Sequence, residues 1–206
     1  MPLLSRLAFQ AFLSFAAVGV LCAQERTITI GVTPGPYGQL VRAAVAPSLT
    51  AAGYEVVLRE FSDYIQPNLA LAHGDLDANL FQHRPFLTRF SADKKLELTA
   101  VINVSTAPLA LYSRRITALD QLKPGDEVTL ANDPTNLARA LRLFAKQGLI
   151  TLKPEIDPTR ASERDIADNA KGLRFRPIEA AQLPRSLDSV ALAAVNGNFA
   201  FAAKIR

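Results

Sequence analysis

The residues best suited to chemistry crowd into two short runs, Phe61-Ser62-Asp63-Tyr64-Ile65-Gln66-Pro67-Asn68 and Asn79-Leu80-Phe81-Gln82-His83-Arg84-Pro85-Phe86. Together they hold aromatic rings, carboxamides, a carboxylate and an imidazole. Such a set could serve acid–base or metal chemistry, or it could capture a small molecule reversibly. Catalysis needs a nucleophile beside a base, a carboxylate pair or a metal cluster. His73 and His83 lie ten residues apart with neither a companion cysteine nor an HExxH pattern, so metal-ligand spacing is missing. Asp75 and Asp77 stand at i,i+2, which points two strand carboxylates to one face, but a solvated strand entrance has the same pattern. No GxSxG, P-loop or GxGxxG occurs. The residues favour capture over turnover, and they call for no cofactor and no metal.

Capture of an amino acid requires a cation for its carboxylate, acceptors for its ammonium and a shaped apolar wall. Arg139 stands about one turn into the helix predicted after Asn132-Asp133-Pro134-Thr135-Asn136, and its helical neighbours Thr135, Asn136, Arg142 and Leu143 include no acid. A guanidinium near a helix N-terminus suits a carboxylate, although a solvated surface arginine has the same spacing. Tyr64, Phe81 and Phe86 would build the wall or, equally, the core. Tyr64 and His83 carry polar handles that make pure core packing less suitable for them. Asn103 and Asn196 fall at predicted strand ends, where an amide bridges charged ligand groups, though asparagine is also common in turns.

The elements that must position these groups alternate. Residues 27–33 are rich in β-branched side chains and stop at Pro34-Gly35-Pro36; a helical pattern follows over 39–52, closed by Gly53. Strands are predicted over 54–61 and 76–81, separated by a short helix over 67–73. Further on, 98–104 and 109–113 read as extended, 128–131 as a strand, 134–147 as a helix capped by Gly148, and 173–178 and 190–195 as strands. This is βαβ grammar, which predicts an α/β fold with a mainly parallel sheet. A lobe boundary is expected between about Asn103 and Tyr112, with residues 24–104 in one lobe and 105–206 in the other. In open α/β sheets ligands bind beyond the carboxyl ends of the strands, where both aromatic runs begin.

Composition fits a globular domain: of 206 residues, 49% are hydrophobic and 20% charged, and 23 Lys and Arg stand against 19 Asp and Glu. The basic residues are scattered, with only pairs such as Lys94-Lys95 and Arg114-Arg115, so no nucleic-acid partner is expected. Arg6, the apolar stretch Leu7 to Leu21 and the polar Gln24-Glu25-Arg26 have the layout of a signal peptide over residues 1–23. An exported protein of the periplasm or of the outer face of the bacterial membrane is the expectation. The sole cysteine, Cys22, ends that apolar stretch. It is a candidate for lipidation, and cleavage after Ala23 is the rival processing.

These blocks resemble the NlpA-type lipoproteins, the methionine-binding components of ABC importers. The resemblance rests on Gly31-Val32-Thr33-Pro34-Gly35-Pro36, the run from Phe61 to Asn68, Gly74-Asp75-Leu76-Asp77-Ala78-Asn79, Phe81-Gln82-His83, Asn132-Asp133-Pro134-Thr135-Asn136, the run from Ala181 to Asp188, and Ala194-Val195-Asn196-Gly197-Asn198. It implies a periplasmic-binding fold, with two α/β lobes closing on L- or D-methionine, and delivery to the importer's membrane subunits. Another small amino acid, a methionine-containing dipeptide, or an envelope lipoprotein without transport activity are the alternative functions. Carried over by position, the site is Tyr64, Phe81, His83, Phe86, Asn103, Arg139 and Asn196, with Arg139 on the carboxylate and the aromatics around the thioether. Phe86 stands where relatives often have Tyr, and Ala107 replaces a larger residue. The resemblance also implies a further segment returning to the first lobe after Arg206; without it, one crossing and an uncovered apolar face are expected.

Overall fold

A computed structural model describes residues 26–205. The signal peptide and Cys22 therefore lie outside the described residues.

Strands β1 (Arg26–Val32), β2 (Tyr54–Glu60) and β3 (Ala78–Leu80) form a parallel sheet in the order β2-β1-β3. β1 is exposed at its amino end and buried over Ile30, Gly31 and Val32, so this strand is driest at its carboxyl end. The connection to β2 runs through α1 (Pro36–Leu40), a π turn over Val41–Val45 and α2 (Ala46–Ala51). The expected single helix is thus interrupted. Pro47 has no N–H for the carbonyl of Ala43, and the turn ahead of it rewinds so that the Ala46 N–H reaches Val41 instead. α3 (Gln66–Ala72) leads to β3, and α4 (Arg84–Lys94) follows it.

Residues 96–108 then run without regular structure, although 98–104 alternate like a strand. Alternation predicts an extended backbone, but a strand also needs a neighbour to receive its hydrogen bonds. Val101 and Ile102 are accordingly 87% and 66% exposed.

The second sheet has the order β4-β9-β5-β8, built from β4 (Leu109–Tyr112), β5 (Glu127–Ala131), β8 (Arg174–Ile178) and β9 (Leu192–Asn196). β5 lies parallel to both neighbours, whereas β4 runs antiparallel to β9. A small antiparallel pair, β6 (Thr151–Leu152) and β7 (Ile166–Asp168), sits apart. α5 (Pro134–Lys146) buries Ala138, Leu141 and Phe144 at helical spacing against this sheet, with the Phe144 ring edge-on to Phe175 at 5.2 Å. α6 (Leu183–Ser186) is tied down where the Ser186 hydroxyl donates to the Leu183 carbonyl and accepts from Thr129.

The chain comes back toward the first sheet directly after β9. The Gly197 N–H donates to the Pro108 carbonyl at 2.7 Å, and α7 (Gly197–Ala202) follows, reaching the Pro34–Gly35 turn that opens α1 through Asn198. The described residues therefore hold two connections between the sheets, at Ala107–Pro108 and at Asn196–Gly197, where a single crossing is the expectation from the sequence. Both contacts demand glycine. A Cβ on Gly197 would stand 2.4 Å from the Pro108 carbonyl oxygen, and one on Gly35, whose φ is +119°, would meet the Asn198 oxygen at 2.5 Å. One apolar cluster spans the gap, joining Ile30, Val32, Tyr64, Phe81 and Phe86 to Val195 and Phe199; a second lies wholly in the second sheet's half.

Candidate functional site

Two helix starts face each other across the gap between the sheets. α4 begins at His83, whose extended backbone (φ −87°, ψ 156°) makes it the N-cap, and its ring Nδ1 accepts the Phe86 N–H at 3.1 Å. That bond settles the tautomer. Nε2 carries the proton and donates to the Asn136 side-chain oxygen at 3.3 Å. α5 begins at Asp133, the N-cap whose Oδ1 accepts the Asn136 N–H at 3.0 Å, with Pro134 pre-set for the first turn.

Asn136, 1% exposed, is the hub of the polar side. Its amide nitrogen donates to both Asp133 oxygens, at 3.0 and 2.9 Å. Its oxygen accepts from three donors: Arg139 Nη1 at 2.8 Å, Asn196 Nδ2 at 3.0 Å and His83 Nε2. A carboxamide oxygen has two lone pairs, so three donors exceed its capacity. Among the described residues Arg139 has no carboxylate in ion-pair range, and the Asn196 Oδ1 is buried with no partner. The half-buried cavity thus has spare donors, an uncommitted cation and one idle acceptor.

The opposite side is aromatic. The Tyr64 ring stacks on Phe81 at 5.9 Å and meets Phe86 edge-on at 5.9 Å, while Phe86 stands edge-on to His83 and stacks on Phe90. Tyr64 also leans on Phe199 at 5.2 Å, and its hydroxyl donates to Asn198 Oδ1 at 2.6 Å. Behind this wall the carboxamides of Asn68, Asn79 and Gln82 bond one another, fixing the end of β3 against the start of α3. Asn68 is fully buried, and the triad satisfies its amide.

Burial governs the titrations. It pushes the Tyr64 phenol well above its ordinary range and lowers the His83 imidazole, which the Arg139 cation lowers further while Asn136 and Asp133 oppose. Arg139 is itself lowered by burial, with Tyr64 and Asp133 acting against that. Neutral His83 beside charged Arg139 is the working state at neutral pH.

The cavity between the walls is lined by Tyr64, Phe81, His83, Phe86, Arg139 and Asn196, six of the seven residues that the sequence nominates. Asn103 is elsewhere: it is exposed in the irregular 96–108 stretch, and its Oδ1 accepts from Arg84 Nη2 at 3.1 Å. With no partner strand to fix that stretch, a predicted strand end could not serve as an anchor. Lining residues that sequence reasoning passed over include Asn136, Asn198, Tyr37 and Gln82. Asn136 carried one signal, a place in the Asn-Asp-Pro-Thr-Asn block, but there it reads as an ordinary first-turn residue. Asp77 faces β1, not the cavity, and its carboxylate accepts the Thr29 N–H at 2.8 Å. Among the described residues no cluster of three metal-ligating side chains occurs, and no helix is long and apolar enough to cross a membrane.

Residues 28–206 match the family described as NlpA lipoprotein. The chain is 42% identical to the D-methionine-binding lipoprotein MetQ of Escherichia coli over 205 residues, which cover 92% of this chain and 74% of that one. It is 39% identical to a probable D-methionine-binding lipoprotein MetQ of Vibrio cholerae, covering 96% and 73%. Among solved structures, a nutrient-binding protein from Burkholderia cenocepacia bound to methionine superposes with a TM-score of 0.82 at 37% identity, over 86% of this chain and 74% of that one. A periplasmic substrate-binding protein of an ABC transporter from Coxiella burnetii gives 0.81 at 42% identity, over 86% and 74%.

Proposed function

The chain belongs to the NlpA lipoprotein family, and on that footing we propose that it is an exported solute-binding protein that captures methionine between two α/β lobes and delivers it to an ABC importer. The observation that carries this reading is the surplus of donors at the Asn136 oxygen beside the uncommitted Arg139 guanidinium. A carboxylate oxygen entering there relieves the crowding and gives Arg139 the anion that its own chain withholds. The idle Asn196 Oδ1 accepts from the ligand's ammonium. The thioether then lies against Phe81, Phe86 and Tyr64, where sulfur–aromatic contact is favourable. Every charged group of a buried zwitterion finds a partner, which is the condition for burying one.

No step of this requires bond-making, and the arrangement offers none: His83 has both ring nitrogens engaged and no nucleophile beside it. The hinge in this reading is the contact of Pro108 with Gly197, with residues 26–104 and the segment from Gly197 in one lobe and residues 105–196 in the other. Closure across it presents both lobes to the importer's membrane subunits together. Cys22 is the proposed anchoring residue, holding the protein in the periplasm or at the outer face of the bacterial membrane. Ala107 is a small side chain in the lining, which makes a methionine-containing dipeptide the second candidate ligand.

Thermal melting with L-methionine, D-methionine and a glycyl-methionine competitor tests the reading. A ligand at a hundred times its Kd adds about 2.7 kcal/mol to the native state. An upward shift with either methionine supports it, a shift with the dipeptide alone favours the second candidate, and none with all three overturns it.

A further inference from the structure

We propose that Asp133 is a positioning residue for ligand capture, acting through Asn136 and never touching the ligand. The proposal deepens the methionine-binding reading and rests on it. A carboxamide is pseudosymmetric: turned over, Asn136 would aim its NH2 at Arg139, Asn196 and His83, all of which are donors there. Those donors oppose the flip from the cavity side, and the two-oxygen grip of Asp133 on the Asn136 amide nitrogen, at 3.0 and 2.9 Å, opposes it from the other. A carboxylate accepts only, so it holds the NH2 toward itself and the oxygen toward the cavity.

The grip has a second effect. The Asn136 amide stands as a spacer between Asp133 and Arg139, so the anion and the cation are linked without an ion pair. A carboxylate in direct contact with Arg139 would compete with the ligand's own. At one remove it polarises the amide and steadies the buried guanidinium, while the cation's open face stays free. The N-cap bond to the Asn136 N–H is a separate duty of the same side chain. It can be preserved while the grip is removed.

Asp133→Ser does this, because serine caps a helix about as well as aspartate but offers the Asn136 amide nitrogen one neutral oxygen in place of two charged ones. Three explanations then diverge in sign. If Asp133 only caps, L-methionine affinity stays at the wild-type value. If it acts by charge alone, removing a negative charge beside Arg139 tightens binding of a carboxylate. The positioning role predicts a loss of about tenfold to a hundredfold, with the ligand-free melting temperature held, as for the loss of a charge-assisted hydrogen bond. Calorimetry in an Asn136→Ala background supplies the control: there Asp133→Ser costs nothing further. Unchanged or tighter binding by the single variant, or additive losses in the pair, overturns the proposal.

If wild-type protein binds no methionine, the functional reading fails and the grip is still testable without ligand. The Asn136 side-chain NH2 in a ¹⁵N-edited spectrum is expected to be protected from solvent exchange in the wild type and unprotected in Asp133→Ser. Equal protection in both would overturn the positioning role.

Discussion

The two walls of the cavity are made differently. The wall from the first sheet's side, Tyr64, Phe81 and Phe86, belongs to the apolar cluster that joins the two halves, and each of these rings is less than a tenth exposed. The wall from the second sheet's side, Asn136, Arg139 and Asn196, is a hydrogen-bond network resting on one helix start and one strand end. The aromatic wall is therefore core and lining together, while the polar wall is lining placed upon a separate core. Change on the first side should disturb folding and binding alike, and change on the second should disturb binding alone.

Phe81→Ala is the strongest test. Removing a buried phenylalanine costs about 3–5 kcal/mol of stability, and a chemical melt should report that loss together with weakened methionine binding. A variant with normal stability would show that Phe81 lines the site without supporting the core. Arg139→Ala comes next, with methionine affinity falling about a hundredfold or more while the melt stays near wild type, as for the loss of a bidentate charge-assisted contact. Parallel losses of affinity and stability in this variant would erase the distinction between the walls.

Tyr64→Phe removes only the hydroxyl that donates to Asn198. It leaves a buried acceptor unpaired, for about 1–3 kcal/mol of stability, and the affinity change should be the smaller of the two. His83→Asn sharpens the comparison through pH. The folded state lowers the His83 pKa from 6.5, so both states are neutral above that value and the ring contributes no pH dependence there. As the pH falls through 6.5 the unfolded chain takes up the proton first, and stability declines until the folded pKa is passed. Asparagine still caps α4 and does not titrate, so the melting temperature of His83→Asn should fall less over that range. Identical pH profiles would remove His83 from the account.

How much of this could be read beforehand varied with the kind of information involved. Strands β1, β2, β5 and β8 and helix α5 follow from period and punctuation, because Gly53, Gly148 and the prolines mark their ends locally. The aromatic wall was legible for a similar reason: Phe81 directly follows β3 and Tyr64 lies in the bend between β2 and α3, beyond the carboxyl ends of two strands. Arg139 could be nominated from what its own helix lacks. Asn136 could not, because its importance depends on donors arriving from α4 and β9, far away along the chain. Asn103 shows the converse, since its extended stretch was legible and the lack of a partner strand to place it was not. The π turn before Pro47 lay in plain view, but only the geometry shows how the helix absorbs the missing N–H.

The backbone contact between Gly197 and Pro108 works as a lever's fulcrum. Points near a fulcrum travel short arcs and distant points long ones. Asn196 is the residue adjacent to it, so rotation of the sheets about that contact leaves the idle acceptor almost stationary. The hydrogen bond from His83 to Asn136, which spans the gap, takes the larger excursion. A ligand approaching an open cleft would therefore meet a fixed end, Asn196 with Arg139 behind it, before the imidazole and the rings sweep in. Engagement in that sequence makes the zwitterionic end the docking point and the side chain the part that is sorted, so poor side chains would be turned away by fast departure more than by slow arrival.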